Sequence, residues 1–536
     1  MKKLKLVCVA IAMASAAPTF AGGLLTNTNQ HVAFNRMMSR EASIGIDGVY
    51  YNPAGVVFMG DGKHLAINWQ LAYQTRTINN DYSLFTNNVN NPITPRDFKG
   101  KAFAPVIPSF QYAYNKGKWS FQANFALTGG GGKCTFDDGL GSFEKIVSET
   151  AIAACGLAGV VDQTLGNKLG QQGMEMFTSD QAFGKTGKYS FNSYMHGRQY
   201  YYGLSVGAAY KFCDNFSAFL GVRGVYALTN YYGYVENINV GNMPLYKVLD
   251  PSKETAANIE LSCDQTGVGF TPIIGVDYKT GRWNFSAKYE FKTRIRLKNK
   301  SVNQTPSIGN LPANLANQMT GILTARYQQA GLPLEQAKQQ AENTTNAVLN
   351  DPTVGATMMG LKTQFDQKLN KAIGEYEDGK KIAGDIPGYL ALGIGYSPVD
   401  AVRVNVGFHW FDDKNATSYN NRNKELKRGT LEYNAGVEVD VNKKITLSTG
   451  WQNTNYGLSD EYMDDKSFVV GSNSAAIGGV YHINKKMDLN VAYFHTFYQH
   501  KKTSETVQLA ADKSIVYNSD YTRNNNVFAV GLDINF

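Results

Sequence analysis

The sequence predicts an all-β membrane protein: a fourteen-stranded antiparallel transmembrane β-barrel with a separate N-terminal segment before its first strand and two long, partly helical extracellular loops. Three observations predict this class. The chain begins with a secretion signal, fourteen segments alternate apolar and polar residues, and the connections between them alternate between tight turns and long loops. Together these features indicate a sheet that closes on itself in a bacterial outer membrane.

The composition excludes the main competing classes. Of the 536 residues, 18% are charged and 12% aromatic, with 53 Gly and 32 Tyr, which does not fit a disordered or coiled-coil chain. A mean hydropathy of −0.31 is too polar for a helical membrane protein, whereas alternating strands average out as polar. The net charge of +8 is too weak over this length to indicate a nucleic-acid partner.

Residues 1–21 are predicted to be a signal peptide. Lys2, Lys3 and Lys5 precede an apolar stretch over residues 6–17, and small residues before Ala21 fit a cleavage site after that alanine. The stretch is too short to be a stop-transfer helix. The mature chain is therefore expected to be exported and to reach the outer membrane of a Gram-negative bacterium.

The strand pattern recurs along most of the chain. In residues 402–410 one face is wholly apolar and the other carries Arg403, Asn405, Gly407 and His409, as lipid outside and a polar lumen inside would require. The fourteen predicted strands are 63–77, 104–114, 118–128, 196–212, 216–231, 259–278, 283–297, 386–396, 402–411, 430–441, 444–456, 468–483, 487–500 and 524–536.

The connections give an independent test of the barrel, because outer-membrane barrels have short periplasmic turns and longer outer loops. Tight turns are predicted at 115–117, 213–215, 280–282, 398–401, 442–443 and 484–486, with longer connections between them. Both termini should then lie on the periplasmic side of a barrel that spans residues 63–536. The last strand alternates up to Phe536, the ending expected of a strand that the outer-membrane assembly machinery recognises.

Three regions are not strand-like. Residues 22–62 precede the first strand and are expected to form a plug, either in the periplasm or inside the lumen. Residues 130–194 and 298–385 carry apolar residues at helical spacing and should form two helical outer loops. These loops either pack on each other as a lid or leave between them a groove for an apolar ligand.

Two segments carry a family resemblance. Residues 41–55 contain Asn52, Pro53 and Ala54 after acidic and small residues, and residues 386–396 read IPGYLALGIGY after the longest loop. In this context the chain resembles the FadL-type (FadL/TodX) outer-membrane transporters of long-chain fatty acids and other hydrophobic compounds. The resemblance implies a monomeric fourteen-stranded barrel that is closed by an N-terminal plug in the lumen, has no cofactor and takes up such compounds passively. The compounds would be captured between the outer loops and released through a lateral opening after the plug rearranges. The barrel itself would be in contact with outer-membrane lipids and lipopolysaccharide.

Two sets of residues are candidates for the transport path. Gly129, Gly130, Gly131 and Gly132 lie at the upper end of the third strand, where the resemblance implies a kink; a flexible loop stem is the alternative explanation. On the seventh strand the apolar residues occupy the odd-numbered positions, so the even-numbered residues should face the lumen. The cations among them, Lys288, Lys292, Arg294 and Arg296, are candidates for binding a carboxylate head group. The alternative is that they pair with plug acids such as Glu41 and Asp47, or with inward Asp and Glu residues on neighbouring strands.

Enzymatic interpretations find little support. Residues 203–207 match the nucleophile-elbow pattern, but they fall inside a strand, and the seven His residues show no metal-type spacing. No catalytic, metal-binding or cofactor-binding residue is predicted. A lipid hydrolase and a surface receptor or adhesin without transport are the alternative functions.

Four cysteines remain after the signal peptide. Cys213 lies in a predicted periplasmic turn and Cys263 near the outer end of a strand, so the apolar band separates them. Cys134 and Cys155 share the first long loop. Any disulfide is therefore expected to join Cys134 to Cys155 and to leave Cys213 free.

Overall fold

The computed structural model describes residues 24–27, 29–171, 174–306, 309–510 and 513–536. These residues form one closed barrel of fourteen antiparallel strands, each paired with its neighbours in sequence, and the last strand closes on the first with Leu65 opposite Ile534. The predicted fold class is confirmed. The predicted signal peptide and its cleavage after Ala21 lie outside the described residues.

Eleven strands run without a break, and β7, β8 and β13 are each interrupted once. The strands are β1 (Gly62–Tyr82), β2 (Arg96–Lys116), β3 (Trp119–Phe136), β4 (Tyr189–Lys211), β5 (Phe216–Val240), β6 (Ile259–Thr280), β7 (Trp283–Glu290 and Arg296–Gln304), β8 (Lys381–Ala383 and Tyr389–Val399), β9 (Val402–Phe411), β10 (Arg428–Asn442), β11 (Ile445–Gly457), β12 (Ser472–Asn484), β13 (Met487–Tyr498 and Lys501–Ala510) and β14 (Lys513–Asn535). A two-residue strand, Met243–Pro244, folds back on the end of β5.

The strands carry apolar side chains on the outer face of the barrel and polar side chains on the inner face, the reverse of a soluble protein. Along β6, Phe270, Ile274 and Val276 are exposed, whereas Gln265 and Thr271 between and beside them are buried in the lumen. An apolar exterior over a polar interior is what a membrane-spanning barrel requires, because water is absent outside and present inside. All fourteen predicted strands are confirmed.

Strands extend beyond their predicted limits at the outer end. β5 runs to Val240 and β14 begins at Lys513, although the alternating pattern ends near residue 231 and starts at residue 524. Above the membrane both faces of a strand meet water, so the apolar–polar alternation fades while the backbone pairing continues. Short turns occur at the opposite end, where Gly117 (φ +59°) and Gly281 (φ +54°) adopt the left-handed conformation that tight turns need.

The plug lies inside the lumen. Its elements are α1 (Val32–Met37), α2 (Gly48–Tyr51) and a 3₁₀ helix, Gly55–Met59. All six residues of α1 are buried, and α1 packs against β10 to β14 and β1. His31 caps α1 by accepting a hydrogen bond from the Ala33 amide through Nδ1 at 2.9 Å. Of the two placements left open by the sequence, the structure has the plug inside the barrel.

The two predicted helical loops form a lid over the outer end. The first contains α3 (Gly141–Leu169), the connection between β5 and β6 contains α4 (Tyr246–Leu249), and the second long loop contains α5 (Leu311–Gln329), α6 (Leu334–Leu349) and α7 (Pro352–Ile373). Among the described residues α3 is the one helix long and apolar enough to cross a membrane, but half of that stretch is buried. Because α3 packs against α6 and α7, its apolar face is covered by the lid rather than by lipid.

Candidate functional site

An apolar groove lies inside the lid. It encloses about 1160 Å³, counting the part open to solvent, and α3, the α4 connection and the second long loop all line it. Thr150 is the one polar residue among the described lining residues. The lining residues are Ile146, Val147, Thr150, Ala153, Ala154, Leu157, Ala158, Val161, Phe177, Phe183, Ile238, Leu245, Val248, Leu249, Ala257, Ile259, Pro306, Leu311, Leu315, Leu361 and Phe365. A site of this chemistry binds apolar molecules.

The groove combines both alternatives that the sequence left open. The two long loops do pack together as a lid, and the groove lies within that packing. The contribution of the β5–β6 connection was not predicted from the sequence. The spacing of Leu245, Val248 and Leu249, which places them on one face of a short helical turn, was a signal that could have indicated it.

A second cavity lies in the lumen beneath the lid. It measures about 1080 Å³, including its open side, and is bounded by the plug at Leu24, by β1, β2, β13 and β14, and by Gly130 of β3. Its apolar walls include Ala72, Phe494 and Val527. Polar side chains such as Gln74 and Gln199 supply the larger part of the lining, so the apolar residues form one part of the wall.

Two arginines face this cavity without an acid. Arg76 of β1 and Arg523 of β14 lie directly opposite each other, and no Asp or Glu lines the cavity in the described part of the chain. The Arg523 guanidinium lies 4.9 Å from the centre of the Phe468 ring, and its buried Nε has no hydrogen-bond partner among the described residues. The Arg76 Nε donates to Gln74 Oε1 at 3.1 Å. Two facing cations in a cavity of mixed polar and apolar lining, without an acid beside them, favour an anionic ligand group.

The barrel wall is weakest between β2 and β3. The ladder between them breaks after Ser109, which faces Ala126, and resumes where Ala102 faces Cys134. On the β2 side Pro105 and Pro108 have no N–H to donate. Residues 103–108 and 127–133 thus form a gap in the pairing, called here the wall gap.

The four predicted kink glycines lie in the wall gap. Gly130 (φ +91°) and Gly132 (φ +81°) adopt conformations that L-residues avoid, Gly131 lies between them, and the β3–β4 register shifts twice across this stretch. A Cβ on Gly129 would come within 2.7 Å of the Leu24 side chain, so the start of the plug packs closely against the gap. The structure places the glycines at a kinked strand; their part in transport stays a prediction.

The Asn-Pro-Ala motif fixes the plug to the wall. Asn52 Nδ2 donates to Asp277 Oδ2 of β6 at 2.6 Å, and Asn52 Oδ1 accepts from the Gly55 amide at 3.2 Å. The carbonyl of Pro53 accepts from Gln122 of β3 at 2.7 Å, and that of Ala54 accepts from Ser217 of β5 at 2.7 Å. The motif therefore links the plug to three strands of the barrel.

Lys288 faces inward as predicted but is occupied. Its Nζ donates to the Tyr50 carbonyl at 2.7 Å and to Glu290 at 3.0 Å, and it lies 4.0 Å from the centre of the Tyr50 ring. Glu290 also pairs with the buried Arg223. Lys288 therefore links the plug to the barrel wall, and its ammonium group is already hydrogen-bonded within the protein.

The prediction that Arg294 and Arg296 face inward is wrong. Between the points where Ile273 faces Glu290 and Thr266 faces Lys298, β7 has one residue more than β6. This extra residue reverses the two faces of the strand. Ile295 and Leu297 are buried against Leu24 and Leu25 in the lumen, and the arginines between them are exposed on the outside.

Lys292 lies at this reversal and is also engaged. Its Nζ donates to the Asn415 carbonyl at 3.0 Å and lies 3.8 Å from Asp385. None of the four predicted head-group residues is thus both inward-facing and unoccupied in the described structure. The pair Arg76 and Arg523 has the chemistry that was expected of them.

The plug acids are paired with other cations. Asp47 accepts from Arg40 at 2.7 and 3.0 Å, and Glu41 Oε1 lies 2.7 Å from His409 Nε2 of β9. Burial acts to raise the pKa of both carboxyl groups, but the facing cations outweigh it and hold both pKa values below their ordinary range. The pairing of Glu41 and Asp47 with β7 cations is therefore wrong, whereas Lys292 and Arg296 do lie beside an acid of the neighbouring strand, Asp385 in the interruption of β8.

The cysteines form no disulfide in the described structure. Cys134 packs with Ile78 and Phe136 of the barrel, whereas Cys155 lies in the lid cluster, where its Sγ donates to the Phe183 carbonyl at 3.4 Å. The expected disulfide between Cys134 and Cys155 is therefore not formed, because Cys134 lies in strand β3 whereas Cys155 lies in helix α3. Cys213 is an exposed free thiol.

The nucleophile-elbow match lacks catalytic surroundings. Ser205 lies within β4, and its Oγ has no hydrogen-bond partner among the described residues. A serine nucleophile needs an adjacent base, so the geometry gives no support to a hydrolase at this position.

Comparison with solved structures identifies the fold. A FadL homologue of Pseudomonas aeruginosa matches with a TM-score of 0.57 at 13% sequence identity, over 96% of this chain and 100% of that chain. The TodX deltaS2S3 mutant, a monoaromatic hydrocarbon channel, matches at 0.50 and 13% identity over 94% and 98% of the two chains. The Pseudomonas putida toluene transporter TodX matches at 0.49 and 12% identity over 92% and 94%.

No family model and no curated protein matches the chain significantly. The protein is a transmembrane β-barrel with a lumen plug and a helical lid. Its fold is the FadL-type fold, as the resemblance in residues 41–55 led us to expect.

Proposed function

We propose that the protein is a FadL-type transporter of the Gram-negative outer membrane that takes up hydrophobic compounds passively, with long-chain fatty acids as its substrates. The observation that carries the proposal is the apolar groove in the lid above a lumen cavity in which two arginines face each other with no acid among the described lining residues. The protein would act as a monomer, without a cofactor, and its final strand β14 would direct its assembly into the membrane.

Capture is the first step. An alkyl chain that leaves water for the groove gains about 25 cal/mol per Å² of buried apolar surface, so no energy source is required. The polar surface of the outer leaflet obstructs direct entry of such a solute. A groove of almost wholly apolar lining outside the membrane therefore concentrates the compound at the barrel mouth.

The lumen cavity would bind both the alkyl chain and the carboxylate of a fatty acid. The chain of a fatty acid suits Ala72, Phe494 and Val527, and its carboxylate suits the facing Arg76 and Arg523. An anion between the two guanidinium groups also removes their mutual repulsion. This arrangement favours a carboxylate amphiphile over an uncharged hydrocarbon.

Release would occur sideways through the wall gap. The gap borders the cavity at Gly130, and Leu24 of the plug packs against Gly129 at its edge. A shift of the plug that moved Leu24 would open this route, while the Asn-Pro-Ala links to β3, β5 and β6 resist larger movement. The compound would then enter the bilayer without crossing the polar periplasmic end of the lumen.

A charge placed in the groove tests capture. Ala154→Asp puts a carboxylate among the lining residues, and we expect the initial uptake rate of a radiolabelled long-chain fatty acid at limiting concentration to fall at least about tenfold because the apolar site is lost. The matched control is Gly156→Asp on the same helix, where a side chain meets open space. Equal uptake by the two variants at equal amounts of folded barrel would contradict the proposal.

A further inference from the structure

The outward face of β7 changes from apolar to basic at one level. Trp283, Phe285 and Phe291 are exposed apolar residues with 44%, 38% and 43% of their surface accessible. Beyond them the outward residues are Arg294, Arg296, Lys298 and Lys300, all exposed, while Ile295 and Leu297 between them are buried in the lumen. The cations therefore face the surroundings of the barrel and not its interior.

The height of this change coincides with the edge of a membrane. Eight residues separate Trp283 from Phe291, and at roughly 3.3 Å per residue and about 40° of tilt they span about 20 Å along the membrane normal. This is close to the height of the apolar band of an outer-membrane barrel, about 25 Å. Arg294 then lies at the outer edge of the band, on the end that carries the lid.

Adjacent strands enlarge the basic surface. Lys381 of β8 lies directly opposite Lys298, and Ile382 beside it is buried inside, so Lys381 is outward as well. Like charges directly opposite each other on a sheet repel, and Arg294, Lys298, Lys300 and Lys381 have no ion-pair partner in the described part of the chain. The pair Lys298 and Lys381 is thus a position where an external anion would stabilise the sheet.

Few acids balance these cations. Asp385 is buried and lies 2.7 Å from Arg296, whose side chain is still 52% exposed. Asp264 of β6 is opposite Lys300, and Asp378 accepts from the Ser301 amide at 2.8 Å. A surplus of positive charge remains around Arg294, Lys298 and Lys381.

We propose that this surface, formed by Arg294, Arg296, Lys298, Lys300 and Lys381, binds the phosphate groups of lipid A, the membrane anchor of lipopolysaccharide. The exposed aromatic band directly below takes the acyl chains, so the ligand is an anionic lipid of the outer leaflet and not a free phosphate ion. Arginine can bind phosphate through two parallel hydrogen bonds, and lysine adds charge. The inference rests on the outer-membrane location in the proposed function but not on the substrate.

The test compares two purified triple variants with the full-length protein in detergent. Arg294→Gln, Lys298→Gln and Lys381→Gln remove the cations, and the control Lys443→Gln, Lys444→Gln and Lys486→Gln removes three from turns at the opposite end. Binding of bisphosphorylated lipid A, dephosphorylated lipid A and phosphatidylglycerol is measured by native mass spectrometry. We expect the first variant to bind bisphosphorylated lipid A about 10- to 100-fold more weakly, since each cation near a lipid surface contributes a factor of several. The control should match the wild type.

Lys298→Glu provides a second variant that should fold well, because the new carboxylate would face Lys381 as an opposite charge, and it should weaken lipid A binding similarly. Unchanged binding by both variants would overturn the proposal. So would equal affinity of the wild type for phosphatidylglycerol and lipid A, or displacement of lipid A by millimolar inorganic phosphate. Fatty-acid binding by the same preparations should be unaffected, so a failed transport proposal would show in that measurement and not in the lipid A series.

Discussion

Deletion of residues 22–61 is expected to turn the barrel into an open pore, raising the permeation rate of small sugars at least about tenfold. The described part of this segment, including α1, α2 and the 3₁₀ helix, lies inside the lumen, and all of α1 is buried. A barrel of this strand number without its plug has room for a water-filled channel. Liposome swelling with sugars of increasing size measures the effect.

The deletion should not prevent the barrel from folding. The wall residues that pair with the plug, such as His409 and Glu438, would face water in an empty lumen and regain solvation. The full-length protein, inserted in the same liposomes at the same density, is the control. Swelling rates that do not differ between a correctly inserted deletion variant and the full-length barrel would show that the segment is not the barrier.

The second large effect concerns the arginine pair. Arg76→Gln combined with Arg523→Gln is expected to weaken binding of a long-chain fatty acid at least about 100-fold, because the two charged hydrogen bonds that are lost contribute roughly 1.5–3 kcal/mol each. The alcohol of the same chain length should bind both proteins alike. Displacement of a fluorescent fatty-acid probe from purified protein measures both affinities.

The double arginine variant is expected to fold, and its thermal stability provides the control. Arg76 and Arg523 face each other across β1 and β14, so removing both charges relieves repulsion and should not lower the thermal stability of the barrel. Arg76→Lys keeps the charge and should retain most of the affinity. A parallel loss of affinity for fatty acid and alcohol would contradict a head-group role, as would no loss for either.

The sequence predicted the barrel because the membrane imposes a strict alternation. A strand with lipid on one face and a polar lumen on the other must repeat with period two, and β6 and β9 show that repeat in both sequence and structure. The outer extensions of β5 and β14 lie above the membrane, where this constraint ends. Their length therefore depends on pairing with neighbours and was underestimated.

The reversal in β7 leaves no trace in the alternating pattern of the sequence. Phe291 and Ile295 have the same parity in the sequence, yet Phe291 faces outward and Ile295 inward. The extra residue that reverses the strand is visible only in the register against β6 and β8. A period-two pattern cannot reveal this, because the apolar and charged residues continue to alternate through the bulge.

The sequence predicted those parts of the candidate site that leave a local signal, and not those that depend on which strands pair. The glycines of the wall gap and the helical loops leave local signals, whereas Arg76 and Arg523 belong to the first and last strands and meet only when the barrel closes. Pro105 and Pro108 on β2 were readable in the sequence, but their importance depends on the β3 glycines beside them. Sites made by distant strands need the strand pairing to be known.

Cross-linking the wall gap tests lateral release most directly. A Cβ on Gly132 would lie 3.6 Å from the Ala104 Cβ, within the range of disulfides, so Ala104→Cys with Gly132→Cys can bridge β2 and β3. The variant is made with Cys134→Ala to avoid mispairing. Gly132→Cys with Cys134→Ala, but without the Ala104 change, controls for the strain of a side chain at φ +81°.

Uptake of a radiolabelled long-chain fatty acid is then measured with and without a membrane-permeant reductant. We predict that the oxidised protein binds the fatty acid normally but transports it at least about tenfold more slowly, and that reduction restores transport, because a bridged gap cannot widen. Transport by the fully oxidised protein at the rate of its reduced form would contradict release through the wall between β2 and β3.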